Sequence, residues 1–350
     1  MSSANQRLPL IDALKAIAAV LVLLNHFSSY GPLAAAAREI LPNLVEWCFE
    51  YGRMAVQIFL VIAGFLAVRT LSPNGEALTR PLLPLLGKRY LRLVPPYLAA
   101  LMLAIVAAAI TRQWLQDDFI PAAPEFMQLL AHAALSHGLL GVDALSAGVW
   151  YIAIDFQLFA LMALLLWSGR QRPLAPILVL GLAALSLFVF NRDAGLDNWA
   201  IYFFGSYGLG AAAWWASNRR LAVLWLSVMG SIVFAALLLD FRLRILLALG
   251  VALLLGLGRY QGFLQRWPDN RVFAFLGRIS YSLFLVHFPI LMLANGIYAR
   301  FGFNSNAATL VTLALAGLSS LALATVFHRR VECADPGRLL QLPFYRKASA

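Results

Sequence analysis

The sequence predicts an all-α, polytopic integral membrane protein with about ten transmembrane helices. Apolar residues make up 62% of the 350 residues, and charged residues make up only 12%, about half the share in a soluble domain. Apolar runs of about 20 residues, the length that crosses a bilayer, recur along the chain with short connections. Basic residues concentrate in alternate connections, as the positive-inside rule expects. We therefore predict one membrane domain over residues 1–350.

The ten predicted spans start close to the N-terminus. Asp12 and Lys15 interrupt the first apolar run, a pattern that the hydrophobic region of a cleaved signal peptide disfavours. We therefore expect this run to be retained as a span. The predicted spans are 9–28, 53–71, 93–111, 149–168, 173–190, 199–216, 221–239, 241–258, 277–297 and 307–327.

The distribution of basic residues predicts that both termini are cytoplasmic, with residues 328–350 as a cytoplasmic tail. In this topology the inner side holds most of the 27 Lys and Arg residues. The few on the outer side are Arg38, Arg53, Arg112, Arg192, Arg242, Arg244 and Arg300.

The apolar stretch 126–141 is short for a transmembrane span, and it contains His132 and His137. A full span here would invert every later loop and move the basic pair Arg219 and Arg220 outside. We therefore predict that 126–141 is a surface-lying or re-entrant segment of an outer loop.

The net charge of +11 is mainly a topology signal. Because the basic residues lie in short loops between spans, we expect them to contact anionic lipid headgroups and not nucleic acid. Cys48 and Cys333 fall on opposite sides of the predicted membrane, so they do not form a disulfide. No metal site is predicted.

The first span carries three ionisable residues, Asp12, Lys15 and His26, on one helical face. Lys15 and His26 are eleven residues apart, which is close to a whole number of turns. Ionisable side chains in a membrane usually face a cavity, a partner or a reaction. In the alternative interpretation, Lys15 extends to the headgroups and His26 caps the helix end beside Asn25.

Asp155 lies in the fourth span, roughly 9 Å inside its outer boundary at 1.5 Å per residue. A carboxylate at this depth needs a partner. His26 lies at a similar depth, so the two residues are a candidate acid–base pair. The alternative is a structural ion pair or a hydrogen bond to Gln157 or a nearby Ser or Tyr.

Two further groups are candidate functional residues. Lys88, Arg89 and Arg92 form a basic cluster that suits a phosphorylated ligand, although it also fits an ordinary positive-inside anchor. Tyr281 and His287 lie in the ninth span, where His287 is near mid-membrane. A supporting role at a reaction site and a packed, hydrogen-bonded role both remain open for them.

Five segments together resemble the acyltransferase-3 family of membrane-bound acyltransferases. They occur in the family's order over nearly the whole chain, and the stretch VECADPGRLL at 331–340 is a weaker match. The segments are IDALKAIAAVLVLLNH (11–26), VQIFLVIAGFLAV (56–68), KRYLRLVPPYLAAL (88–101), WYIAIDFQLFALM (150–162) and GRISYSLFLVHFPIL (277–291).

The resemblance implies transfer of an acyl group, commonly acetyl, from cytoplasmic acyl-CoA to a hydroxyl of an envelope or exported glycan. It implies a location in the inner (plasma) membrane, with envelope-biosynthesis proteins as partners. The family's basic residue and histidine in the first span correspond to Lys15 and His26. Its arginines at the third span correspond to Arg89 and Arg92.

Three positions depart from the family's pattern. Lys15 stands where arginine is usual, which removes a planar, bidentate donor. Asp155 stands where glutamate is usual, and Ala63 replaces the serine of an SGF motif.

We hypothesise that the CoA nucleotide binds near Arg89 and Arg92, that its pantetheine arm runs outward along the Lys15 face, and that Asp155 orients His26. His26 then acts as general base on the acceptor hydroxyl, or forms a transient acyl-histidine.

Two rival interpretations remain. One is an exporter of a glycan or lipid-linked substrate, which predicts internal repeats that the sequence lacks, and the other is a noncatalytic relative that binds acyl-CoA.

Overall fold

The computed structural model describes residues 7–169, 174–218, 221–268, 270–302 and 305–334. Over these ranges the regular structure is entirely helical, so the predicted all-α class is confirmed. Residues 335–350 of the predicted tail lie outside the described residues. The helices are α1 (Pro9–Ser29), α2 (Gly31–Ile40), α3 (Pro42–Tyr51), α4 (Val56–Leu71), α5 (Leu82–Thr111), α6 (Phe126–Ala133), α7 (Val149–Ser168), α8 (Ala175–Phe188), α9 (Ala200–Ser217), α10 (Ala222–Leu239), α11 (Leu243–Tyr260), α12 (Phe263–Arg266), α13 (Arg271–Phe301) and α14 (Asn306–Phe327).

Nine helical segments in the described part of the chain are long and apolar enough to cross a membrane. They correspond to nine of the ten predicted spans, so the protein is a multi-pass membrane protein. The predicted span 199–216 is helix α9, which has 18 residues but is rich in Gly, Ala and aromatic side chains. The orientation of the termini stays a prediction.

The described residues form two compact units by their internal contacts. The first unit comprises Met1–Asn25, Glu50–Leu85 and Ala153–Arg278. The second comprises His26–Phe49, Leu86–Ile152 and Ile279–Ala350.

Helix α9 forms the core of the first unit, where it packs against α4, α8, α10 and α11. Nearly all of its side chains are buried. The contact with α4 is close because both helices use glycine: a methyl group at Gly64 would collide with the Tyr207 carbonyl, and one at Gly210 would collide with the Val61 carbonyl. A helix that is enclosed by other helices needs small residues for close approach more than it needs high hydropathy.

In the second unit, the segment predicted at 126–141 contains only one short helix, α6, of eight residues. At 1.5 Å per residue it is about 12 Å long, well short of a bilayer. Its surface-lying or re-entrant placement stays a prediction.

The segment is fixed by His132 of α6, which is fully buried. The Tyr97 hydroxyl lies 2.9 Å from His132 Nδ1, and the Leu145 backbone N–H donates to His132 Nε2 over 3.3 Å. The ring of His137 lies 4.2 Å from the ring of His132. Burial and, second, the neighbouring His137 lower the pKa of His132 to about 4, and burial lowers the pKa of His137. Both rings are therefore neutral at pH 7.

Candidate active site

His26 is near the C-terminal end of α1 and is hydrogen-bonded to a second histidine. Its Nδ1 lies 2.7 Å from Nε2 of His287, which is fully buried on α13. The two rings are stacked, with centroids 4.9 Å apart. The sequence predicted Asp155 as the partner of His26 and left the role of His287 open, and the structure shows that the two histidines are hydrogen-bonded to each other.

The hydrogen bonds of His287 determine the tautomers of both rings. Nδ1 of His287 lies 2.9 Å from the Leu283 carbonyl oxygen. Because a carbonyl only accepts, this Nδ1 carries the proton and the Nε2 of neutral His287 is an acceptor. His26 must therefore donate from its own Nδ1, which leaves its Nε2 with an unprotonated lone pair. This is the form of imidazole that a general base requires.

Two aromatic residues pack against the ring of His26, and a third packs against both of them. Tyr30 and Phe288 meet its ring edge-on, at centroid distances of 5.6 and 5.9 Å. Phe119, from the loop after α5, contacts both Tyr30 and Phe288 at 5.9 and 6.3 Å. These rings form an apolar wall beside the half-buried imidazole.

Gly148, at the start of α7, also lies near the ring of His26. Gly148 has a φ of +83°, a conformation that favours glycine. A methyl group placed there would lie 3.6 Å from Cε1 of His26 and 3.2 Å from the ring of Phe284. A side chain at position 148 would therefore contact the ring of His26 beside its nitrogens.

Asn295, which is fully buried on α13, fixes the chain immediately after His26. Its Oδ1 accepts from the Leu33 backbone N–H at 3.0 Å, and its Nδ2 donates to the carbonyls of Leu291 and Tyr30 at 3.0 and 3.4 Å. Gly31 has a φ of +79°, and a side chain there would collide with the Asn295 amide. Asn295 therefore holds the turn between α1 and α2 and, with it, Tyr30.

Asp155 lies on α7 and is buried, with 6% of its surface exposed. Gln157, one of its suggested partners, has a different role: it accepts from the Ala200 backbone N–H at 3.1 Å, at the start of α9. His26 and Asp155 belong to different units, and their pairing stays a prediction.

Asp12 and Lys15 are half-buried residues of α1. The Asp12 carboxylate accepts from Nε of Arg7 at 2.7 Å, which places it in an ion pair near the start of the helix. The predicted contribution of Lys15 to donor binding stays a prediction.

The predicted basic cluster lies in the first half of α5, where Lys88 and Arg92 are exposed and Arg89 is half-buried. Two prolines follow inside the same helix. They lack an N–H, so carbonyls one turn earlier, in the basic segment, lose their helical donors. The hydroxyl of Tyr281 donates to the Leu93 carbonyl at 2.9 Å, which joins α13 to α5 beside the cluster. Tyr281 thus has a packing role next to the basic residues.

Within the described ranges, no three His, Cys, Asp or Glu side chains are grouped so as to hold a metal ion. Sequence reasoning missed Asn295, Tyr30, Phe119 and Gly148 as parts of the His26 surroundings. Glycine after a polar loop was the only local signal for Gly148, and the other three are ordinary in their local sequence.

Comparison with known proteins assigns the chain to a family. A family model described as "Acyltransferase domain", that of the acyltransferase 3 family, matches residues 8–329, nearly the whole chain. The chain therefore belongs to this family of membrane acyltransferases.

Among curated proteins, the chain is similar to "Regulator of hypoxia-inducible factor 1" of Caenorhabditis elegans. The two are 25% identical over 173 residues, which cover 45% of this chain and 34% of the relative. The chain thus spans about a third of that relative's length. No solved structure matches the chain significantly.

Proposed function

We propose that this protein transfers an acyl group, commonly acetyl, from cytoplasmic acyl-CoA to a hydroxyl of an envelope or exported glycan. His26 is the general base in this proposal. The observation that carries it is the hydrogen-bond chain from His26 through His287 to the Leu283 carbonyl, because this chain leaves Nε2 of His26 as the proton acceptor.

In the proposed step, Nε2 of His26 takes the proton of the acceptor hydroxyl as its oxygen attacks the acyl carbonyl carbon. The new C–O bond forms and the C–S bond to CoA breaks. The departing CoA thiolate then takes the proton from the His26 imidazolium. His287 stabilises that imidazolium, since its Nε2 lone pair accepts from the Nδ1–H of His26 throughout.

The family resemblance supplies the remaining roles. Lys15, Arg89 and Arg92 bind the donor, and the arginines engage its phosphates. Asp155 is the buried carboxylate that stabilises the charged histidine. The protein acts in the plasma membrane, where both a cytoplasmic donor and an exported acceptor are within reach.

A strain that lacks its own copy of the gene tests the acceptor. Envelope polysaccharide from cells with the wild type, with His26→Ala and with no protein is analysed by mass spectrometry before and after mild base. Phe234→Ala on α10 is a matched control, because it truncates an aromatic ring that is 58% exposed and is not among the residues around His26. We expect base-labile acyl groups with the wild type and the control, and none with His26→Ala. Modification that is equal in all strains would contradict the proposal.

A further inference from the structure

A second group of reactive side chains lies in the second unit, where α14 ends. The helix continues for one turn as a π-helix, His328–Glu332, and Cys333 follows it. Cys333 Sγ lies 3.4 Å from Nε2 of His328, and Nδ1 of His328 lies 2.9 Å from the Glu332 carboxylate. The same carboxylate oxygen accepts from the hydroxyl of Ser282 on α13 at 2.5 Å.

These contacts show which atom donates and which accepts in the group formed by Cys333, His328 and Glu332. An ionised carboxylate only accepts, so His328 donates to it from Nδ1 and its Nε2 carries the lone pair. The Cys333 sulfur lies 3.4 Å from Nε2 and 3.9 Å from Nδ1, so it is beside the imidazole and within reach of Nε2. A nucleophile next to a base, with the base oriented by a third group, is the arrangement of covalent catalysis. Ser282, which is fully buried, fixes the position of the carboxylate.

Two further features distinguish this group from an ordinary helix end. π-helical turns are rare and often occur at functional sites; here the turn brings residues four and five apart to the imidazole. The thiol of Cys333 is exposed, whereas the side chains of His328 and Glu332 are 14% and 22% exposed. The nucleophile thus faces outward while its base and orienting carboxylate are sheltered.

The surroundings favour an anionic substrate. Arg329 and Arg330 are exposed on the same π-helical turn, and guanidinium groups bind phosphate. In the predicted topology this end of α14 is cytoplasmic, which is the side of acyl-CoA.

We propose that Cys333 is acylated by acyl-CoA, with His328 as the base and Glu332 as the residue that orients it. The Cys333 thiol gives its proton to Nε2 of His328, and the sulfur attacks the acyl carbonyl carbon. A C–S bond to Cys333 forms, the C–S bond to CoA breaks, and the CoA thiolate takes the proton from His328. The exchange of one thioester for another requires no oxidant or reductant. This proposal for Cys333 rests on the proposed function only for the identity of the donor.

The chain provides its own control, because Cys48 is its one other cysteine and is buried. The purified full-length protein in detergent is mixed with acetyl-CoA, quenched in acid and analysed by intact-mass and peptide mass spectrometry. We expect one hydroxylamine-labile acetyl group on Cys333 in the wild type and in Cys48→Ala, and none in Cys333→Ala. His328→Gln is expected to slow acetylation about a hundredfold, and Glu332→Gln to slow it less.

Absence of acetyl on Cys333 in the wild type, or a rate unchanged in His328→Gln, would overturn the proposal. A separate readout keeps it distinct from the proposed function. Base-labile glycan acylation is measured in cells that carry the wild type: glycan acylation without acetyl-Cys333 refutes this inference alone, whereas acetyl-Cys333 without glycan acylation refutes only the proposed acceptor.

Discussion

The hydrogen bond between His26 and His287 can be tested with two substitutions of His287. Together they separate the loss of the hydrogen-bond acceptor from a change in side-chain shape. His287→Phe keeps a ring but removes the acceptor for the Nδ1–H of His26. His287→Gln keeps an acceptor oxygen close to the position of Nε2. We expect His287→Gln to restore most of the activity that His287→Phe loses.

The magnitude follows from the 2.7 Å bond that the substitution removes. A donor left without its acceptor in a buried site costs about 1–3 kcal/mol. His26 avoids this cost by moving its proton to Nε2, which removes the base. Since 1.4 kcal/mol is about tenfold in rate, His287→Phe should lower the rate about ten- to a hundredfold. Loss of the base itself, in His26→Ala, should cost about a hundred- to ten-thousandfold.

The assay measures base-labile label transferred from radioactive acetyl-CoA in membranes with equal amounts of each variant. The KM for acetyl-CoA should stay near that of the wild type, because His287 is buried behind His26. A wild-type rate in His287→Phe would refute the reasoning. Equal losses in the Gln and Phe variants, with unchanged melting temperatures, would show that the acceptor is not what matters.

Three further predictions concern stability, each measured as apparent melting of the purified protein in detergent. Asn295→Leu leaves the Leu33 N–H without its acceptor and should cost about 1–3 kcal/mol. Asn295→Asp keeps an acceptor but sets a buried carboxylate against the carbonyls of Leu291 and Tyr30, so it should cost at least as much; wild-type melting in either variant would contradict this. The pKa of His132 is lowered to about 4 from 6.5, so the folded protein disfavours protonation of this ring. His132 should therefore leave the free energy of unfolding unchanged above pH 6.5 and lower it, by at most about 3 kcal/mol, as the pH falls toward 4. A His132→Phe variant with the same pH dependence would contradict the assignment. Gly64→Ala should cost about 1–3 kcal/mol or more, whereas Gly230→Ala, with no atom within 4 Å of the added methyl, should be neutral; similar effects would refute the close packing of α4 on α9.

The sequence predicted the helices well because membrane spans are local features. Length, apolar character and flanking charge are all read within about 20 residues. Helix α9 (Ala200–Ser217) was also predicted, as the span 199–216, although its composition differs from that of the other spans because other helices enclose it. Its glycines serve contacts such as Gly64 against Tyr207, which no local pattern displays.

The candidate site was only partly predictable, for the same physical reason. Helical periodicity singled out Lys15 and His26, and the cost of burying an imidazole singled out His287. His26 and His287 are 261 positions apart in the sequence, so their contact depends on tertiary packing. A carboxylate is a common partner of histidine, which led sequence reasoning to pair His26 with Asp155, a pairing still to be tested. Asn295 and Phe119 carry no charge and therefore gave no signal.

The central claim, that His26 is the base in an acyl transfer from acyl-CoA, is tested most directly with purified protein in lipid nanodiscs. Labelled acetyl-CoA and envelope glycan are added to the wild type, His26→Ala and Phe234→Ala, and the initial rate of base-labile label on the glycan is measured. The account predicts transfer by the wild type and Phe234→Ala, and a loss of at least about a hundredfold in His26→Ala. Transfer by His26→Ala at the wild-type rate would contradict it.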